Sequence, residues 1–132
     1  MEKYYYKNKL IGIKISKFCQ GSIPHTGTKE AEESVGILTL KYPKGSYLKA
    51  HIHKDVKRIN HHLQEAFIVR KGKVRIDLYG PDQKLFKYIY LSPGQLFLAV
   101  SGGHAFHFLK DSEIFEVKNG PYKDDKVFID LI

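Results

Sequence analysis

Short apolar-rich runs of β type, separated by Gly, Pro, Asn or Asp, recur along this 132-residue chain, and almost no stretch shows the 3.6-residue period of a helix. Strands are therefore predicted at Leu10–Ile15, Val35–Tyr42, Tyr47–His53, Gln64–Arg70, Lys73–Tyr79, Leu85–Leu91, Gln95–Val100, His104–Leu109, Ile114–Val117 and Lys126–Leu131. Turn residues separate them: Pro43 to Gly45, Lys71-Gly72, Gly80-Pro81-Asp82, Ser92-Pro93-Gly94, Gly102-Gly103 and Asn119-Gly120-Pro121. Val74, Ile76 and Leu78 alternate with Lys73, Arg75 and Asp77, the signature of a strand buried on one side and wet on the other. In Gln95–Val100 and Ile114–Val117 both faces are largely apolar, as expected where two sheets meet or a second copy covers one side. Thr28–Ser34 alone has the makings of a short helix, and its polar, brief character favours a surface turn. Ten short strands at this spacing predict an all-β sandwich or barrel, with residues 1–132 as a single domain.

Composition supports a packed core. The chain is 42% hydrophobic, with nine Tyr and eight Phe, and a chain of this length buries roughly two-thirds of its unfolded surface. The longest apolar run, Leu96 to Val100, is far short of a membrane span. Leu10–Ile13 is too brief for a secretory leader, so a cytoplasmic protein is expected. The lone Cys19 has no internal disulfide partner, agrees with a reducing compartment, and reads as a small buried hydrophobe. The formal charge of +8 comes from 19 Lys and only three Arg (Arg58, Arg70, Arg75), scattered along the chain. Arg is the usual reader of base edges and phosphate forks, so no nucleic-acid partner is expected; the charge suits solubility and attraction of an anionic small molecule.

The histidines carry the candidate chemistry. His51 and His53 lie two apart in KGSYLKAHIH (44–53), and period two would set both imidazoles on one face with Cα atoms about 6.6 Å apart, close enough to converge on one cation. Gly45, five residues, His51, one residue, His53, then Glu65, six residues, Gly72 resembles the first motif of the cupin superfamily. LSPGQLFLAVSGGHAF, with Gly94 to His104 at its heart, resembles the second. The resemblance implies a cupin-type β-barrel, or double-stranded β-helix (jelly roll), in which His51, His53, Glu65 and His104 hold a divalent metal. The stretch KDVKRINHHLQ (54–64) is longer than its family counterpart and is expected to lengthen a loop, with His61 and His62 solvated, or with either one replacing Glu65 in the ligand set if the loop folds over the mouth. Three imidazoles and a carboxylate suit Fe, Mn, Ni, Zn or Cu without selecting among them. Of His104 and His107, three apart on one predicted strand, only one should point inward, and His104 is the choice, with Phe106 and Phe108 beside it. His25 reads as a surface-loop residue.

Groups that could act on a substrate are fewer. Lys49 shares the parity of His51 and His53; Arg58, in the long loop, could reach an anion at the mouth; Glu116 and Lys118 read as an ion pair on an outer strand face, with Lys118 a weak substrate-binding candidate. The resemblance extends to compact single-domain bacterial cupins, some associated with carbohydrate or surface-polysaccharide metabolism. It implies an enzyme of the isomerase or epimerase kind on a small polar or anionic metabolite, such as an activated sugar. An Fe(II)-dependent dioxygenase and a non-catalytic, metal-containing ligand-binding module are the alternatives. A homodimer is expected from the resemblance and from the strands apolar on both faces.

Overall fold

The computed structural model describes residues 1–28 and 34–130. Ten strands follow in order: β1 (Glu2–Tyr6), β2 (Lys9–Ile15), β3 (Gly21–Thr26), β4 (Ile37–Lys41), β5 (Glu65–Lys71), β6 (Val74–Tyr79), β7 (Leu85–Leu91), β8 (Leu96–Ala99), β9 (Gly103–Phe108) and β10 (Glu113–Lys118). All pairings are antiparallel. They form a five-stranded sheet, β1-β2-β8-β5-β10, a three-stranded sheet, β7-β6-β9, and the separate hairpin β3-β4. No helix occurs among the described residues, and the sheets do not close into a barrel: β9 and β10 each carry a ladder on one side only.

The period-two pattern explains the layers. Phe67, Val69, Phe97 and Ala99 on the five-stranded sheet meet Val74, Ile76, Leu78, Ile89 and Leu91 on the three-stranded one. On the far side of the larger sheet, Ile13, Ile15, Ala66 and Leu98 lie under Val35 and Ile37, which lead into and begin β4. A register shift explains how β2 serves both layers. Tyr4 opposes Gly12 and Tyr5 opposes Leu10, leaving Ile11 as the extra residue of a bulge. Ile11 therefore joins the inner core while Ile13 and Ile15 face the hairpin. Gly12 lies where a Cβ would run into the fully buried Phe97 ring, so the close approach of β2 to β8 needs a residue without one.

Several sequence expectations are corrected. Tyr47–His53 forms no strand; residues 41–63 are exposed throughout, because no strand lies beside the segment to share a ladder. Residues 126–130 form none either, and Leu131 lies outside the described residues. β1 and β3 were not predicted: EKYYY has no apolar alternation, and Pro24 interrupts the pattern of β3, a strand with one ladder where a missing N–H is tolerated. The turn expected at Thr28–Ser34 falls largely outside the described residues. Cys19 is exposed rather than buried, in the link between β2 and β3. His25 sits on β3, not in a loop, with its Nε2 2.9 Å from Thr39 Oγ1.

Candidate functional site

Register decides which side chains meet. On β5, Glu65 opposes Ala99, and Phe67 opposes Phe97, so Glu65 shares the inner face of the large sheet. β10 runs alongside with Lys118 opposite Glu65 and Glu116 opposite Phe67, placing both charges on that inner face. Across the sandwich, β9 pairs His104 with Leu78 and Phe106 with Ile76, so His104 looks back at Glu65. Gly102 sets the start of β9: its φ is +70°, and a Cβ there would strike the carbonyl oxygen of Tyr79.

His104 Nε2 lies 3.5 Å from Glu65 Oε1. Lys118 Nζ lies 3.5 Å from Glu65 Oε2 and 3.8 Å from Glu116 Oε2. Glu65, His104 and Glu116 line a cavity of about 870 Å³. Phe67, Phe106 and Ile114 form its apolar wall, and Lys126 and Phe128 lie across it from the C-terminal segment. The rings of Phe67 and Phe106 each stand edge-on to His104, 5.4 and 5.8 Å away. Burial pushes the Glu65 carboxyl up to about 7, and sharing a hydrogen bond with Glu116 adds to the rise, against the opposing pull of Lys118. Glu116 moves down, chiefly through that same bond. Burial holds the His104 imidazole below its ordinary value, favouring the neutral ring.

Of the four expected metal ligands, Glu65 and His104 meet; His51 and His53 do not join them. Their rings lie 4.9 Å apart on the exposed segment between β4 and β5. His51 Nδ1 is 2.9 Å from the carbonyl oxygen of Lys49. Among the described residues no group of three or more His, Cys, Asp or Glu side chains has the geometry to hold a metal ion. Lys49 and Arg58 are exposed on the same segment, and Arg58 Nη1 donates to the carbonyl oxygen of Val56 at 3.4 Å. His61 and His62 are exposed as expected, yet they border a smaller cavity of about 260 Å³ that also reaches Glu65 and Lys118.

His107 faces away from His104, its Nε2 2.7 Å from Asp77 Oδ2, and Arg75 Nε donates to Asp77 Oδ1 at 3.0 Å. Glu116 and Lys118 form the expected ion pair and are exposed, but the register sets them on the cavity side of β10, the face opposite Phe115 and Val117. The signal lay in the register, since Lys118 opposite Glu65 makes the two groups share a face. No family model, curated protein or solved structure matches this chain.

Proposed function

We propose that this chain is a metal-dependent enzyme of the cupin type acting on a small anionic metabolite, with its centre at Glu65 and His104. The observation that carries the reading is their opposition across the inner cavity. At 3.5 Å the pair is too far apart for a good hydrogen bond. Two ligands each about 2.1 Å from one cation stand roughly 3.0–3.4 Å apart, so the gap fits a shared ion. The chemistry agrees: a ring held neutral can ligate, and a carboxylate crowded by a second one is relieved by a cation. The larger sheet packs on the smaller one through a shared apolar core, a two-layer all-β arrangement that supports the resemblance drawn from the two motifs.

His51 and His53 would complete the ligand set, and a bound Fe, Mn, Ni, Zn or Cu ion would polarise a substrate oxygen. Lys118 is placed to hold an anionic group or a proton at its ammonium nitrogen, and Glu116 to take or return a proton beside it. The phenyl wall excludes water from one side of the cavity. This set suits proton transfer, hence isomerisation or epimerisation of a small sugar-like anion. Elemental analysis of protein purified without an affinity tag or added metal, followed by a panel of nucleotide sugars, tests it. Stoichiometric metal lost in the Glu65→Gln and His104→Ala variants, together with turnover, supports the reading; metal-free protein that takes up none on dialysis overturns it.

A further inference from the structure

The chain that follows β10 is held at two points and loose between them. At the near end, Asn119 Oδ1 accepts from Gln64 N–H at 2.8 Å, and Asn119 Nδ2 donates to the carbonyl of His62 at 3.0 Å. At the far end Ile129 packs on β9, its Cδ1 standing 2.7 Å from where a Cβ on Gly103 would be. Residues 120–128 join no ladder, and the Asp125 N–H bonds the Lys123 carbonyl at 3.0 Å, within the stretch itself. Gly120, at φ +74°, turns the chain with nothing within 4 Å of where its Cβ would stand. The turn is unhindered.

This strap crosses both cavities. Leu63, Glu65, Asp125 and Lys126 border the larger and the smaller alike, so Lys126 stands at their junction. Its charge reaches the site. Burial is the main force that lowers the His104 imidazole, and Lys126 adds to it; the bond with Glu65 is the main force that lowers the Glu116 carboxyl, and Lys118 and Lys126 add to that. Lys118 is engaged with Glu65 and Glu116, whereas no ion pair between described residues includes Lys126. The apolar groups of the strap are equally unengaged. Val127 is 81% and Phe128 86% exposed, although both border the larger cavity, whose other wall is Phe67, Phe106 and Ile114.

We propose that residues 120–128 are a strap that closes over a bound substrate, and that Lys126 selects a substrate carrying a phosphate or carboxylate by holding that group at the junction of the two cavities. This deepens the reading above and rests on it for the reaction centre at Glu65 and His104. An ammonium is a compact point charge on a flexible stem, suited to meet an anion without fixed geometry. The uncharged body of the substrate then lies in the larger cavity against the phenyl wall, and Val127 and Phe128 gain a surface to close on. Lys118 keeps the proton at its ammonium nitrogen, and the anion belongs to Lys126.

The test uses the wild-type full chain. It is acetylated with a water-soluble N-hydroxysuccinimide ester, and its lysines are read one by one by mass spectrometry with glucose 1-phosphate, glucuronate or glucose at equal concentration. At least one of the two anions should slow modification of Lys126 about tenfold, as a charged hydrogen bond predicts, and leave Lys123 of the same strap nearly unchanged. Which of them does so tells phosphate from carboxylate. Glucose should protect neither lysine. The protecting anion should also slow hydrogen exchange of the amides at 122–128. Lys126→Arg should keep the response, and Lys126→Ala should need about tenfold more ligand for it, with an unchanged melting temperature. Equal protection by glucose, no protection by any of the three, protection of every lysine alike, or an unaltered response in Lys126→Ala overturns the proposal. Metal content, measured on the same samples, separates the two readings. Protection of Lys126 in protein that binds no metal keeps the strap and removes the metal centre; stoichiometric metal without protection does the reverse.

Discussion

Glu65 is held where its charge is least welcome, and the consequence is measurable without any ligand. A free glutamate titrates near 4.5, and this one near 7. Between those values the native state keeps a proton that the unfolded state has released. The contribution of Glu65 to stability is therefore greatest below 4.5 and falls as pH rises toward 7. Glu116 moves the other way and offsets part of that fall. Metal-free wild type should thus lose on the order of 1 kcal/mol, about 4 °C in Tm, relative to Glu65→Gln across this window. Parallel pH profiles for the two proteins would refute it. Phe97 sets a second expectation: it is fully buried under the Gly12 backbone, so Phe97→Ala should cost about 3–5 kcal/mol in urea unfolding. Parity was enough to set His104 and His107 on opposite faces, because both lie on one continuous strand, and the position of His104 just after the Gly102-Gly103 turn, as in the resembled family, chose it as the inward one. It was not enough for Glu116 and Lys118, since alternation shows that two sets of side chains diverge but not which set meets the core.

At the scale of elements, strands whose alternation is backed by a turn on each side were legible, as β5 through β10 show. The segment from Tyr47 to His53 carries the same alternation and forms no strand within the chain, which separates propensity from pairing: a ladder needs a neighbour. Because His51 and His53 are exposed on the arm between β4 and β5 (residues 42–64), replacing both by alanine should leave the metal-free melting curve within about 0.5 kcal/mol of wild type while abolishing metal uptake. A large loss of stability without metal would show instead that the arm packs on its own sheets. Asn119 is the opposite case, one side chain serving two backbone groups across a separation of more than fifty residues. Asn119→Ala should speed exchange of the Gln64 amide about tenfold, as loss of one buried hydrogen bond predicts, with the β6 amides unchanged.

Over the whole molecule, the all-β character was legible because β-type runs between turn residues recur along the chain with almost no helical period, and no described helix is long and apolar enough to cross a membrane. The division of those strands among sheets was hidden, because it rests on pairings between distant segments such as β2 with β8. That pairing has a mechanical outcome. Everything before the exposed arm and everything after it interlock: β2 zips along β8 through Gly12–Ala99 to Ile15–Leu96, and the β3-β4 hairpin caps the far side of the same sheet. Trypsin cutting at Lys54, Lys57 or Arg58 should leave two fragments that co-elute under native conditions and part only in denaturant. A gene divided at that point would then encode two halves that find each other, so covalent continuity through the arm is dispensable once the sheet has formed.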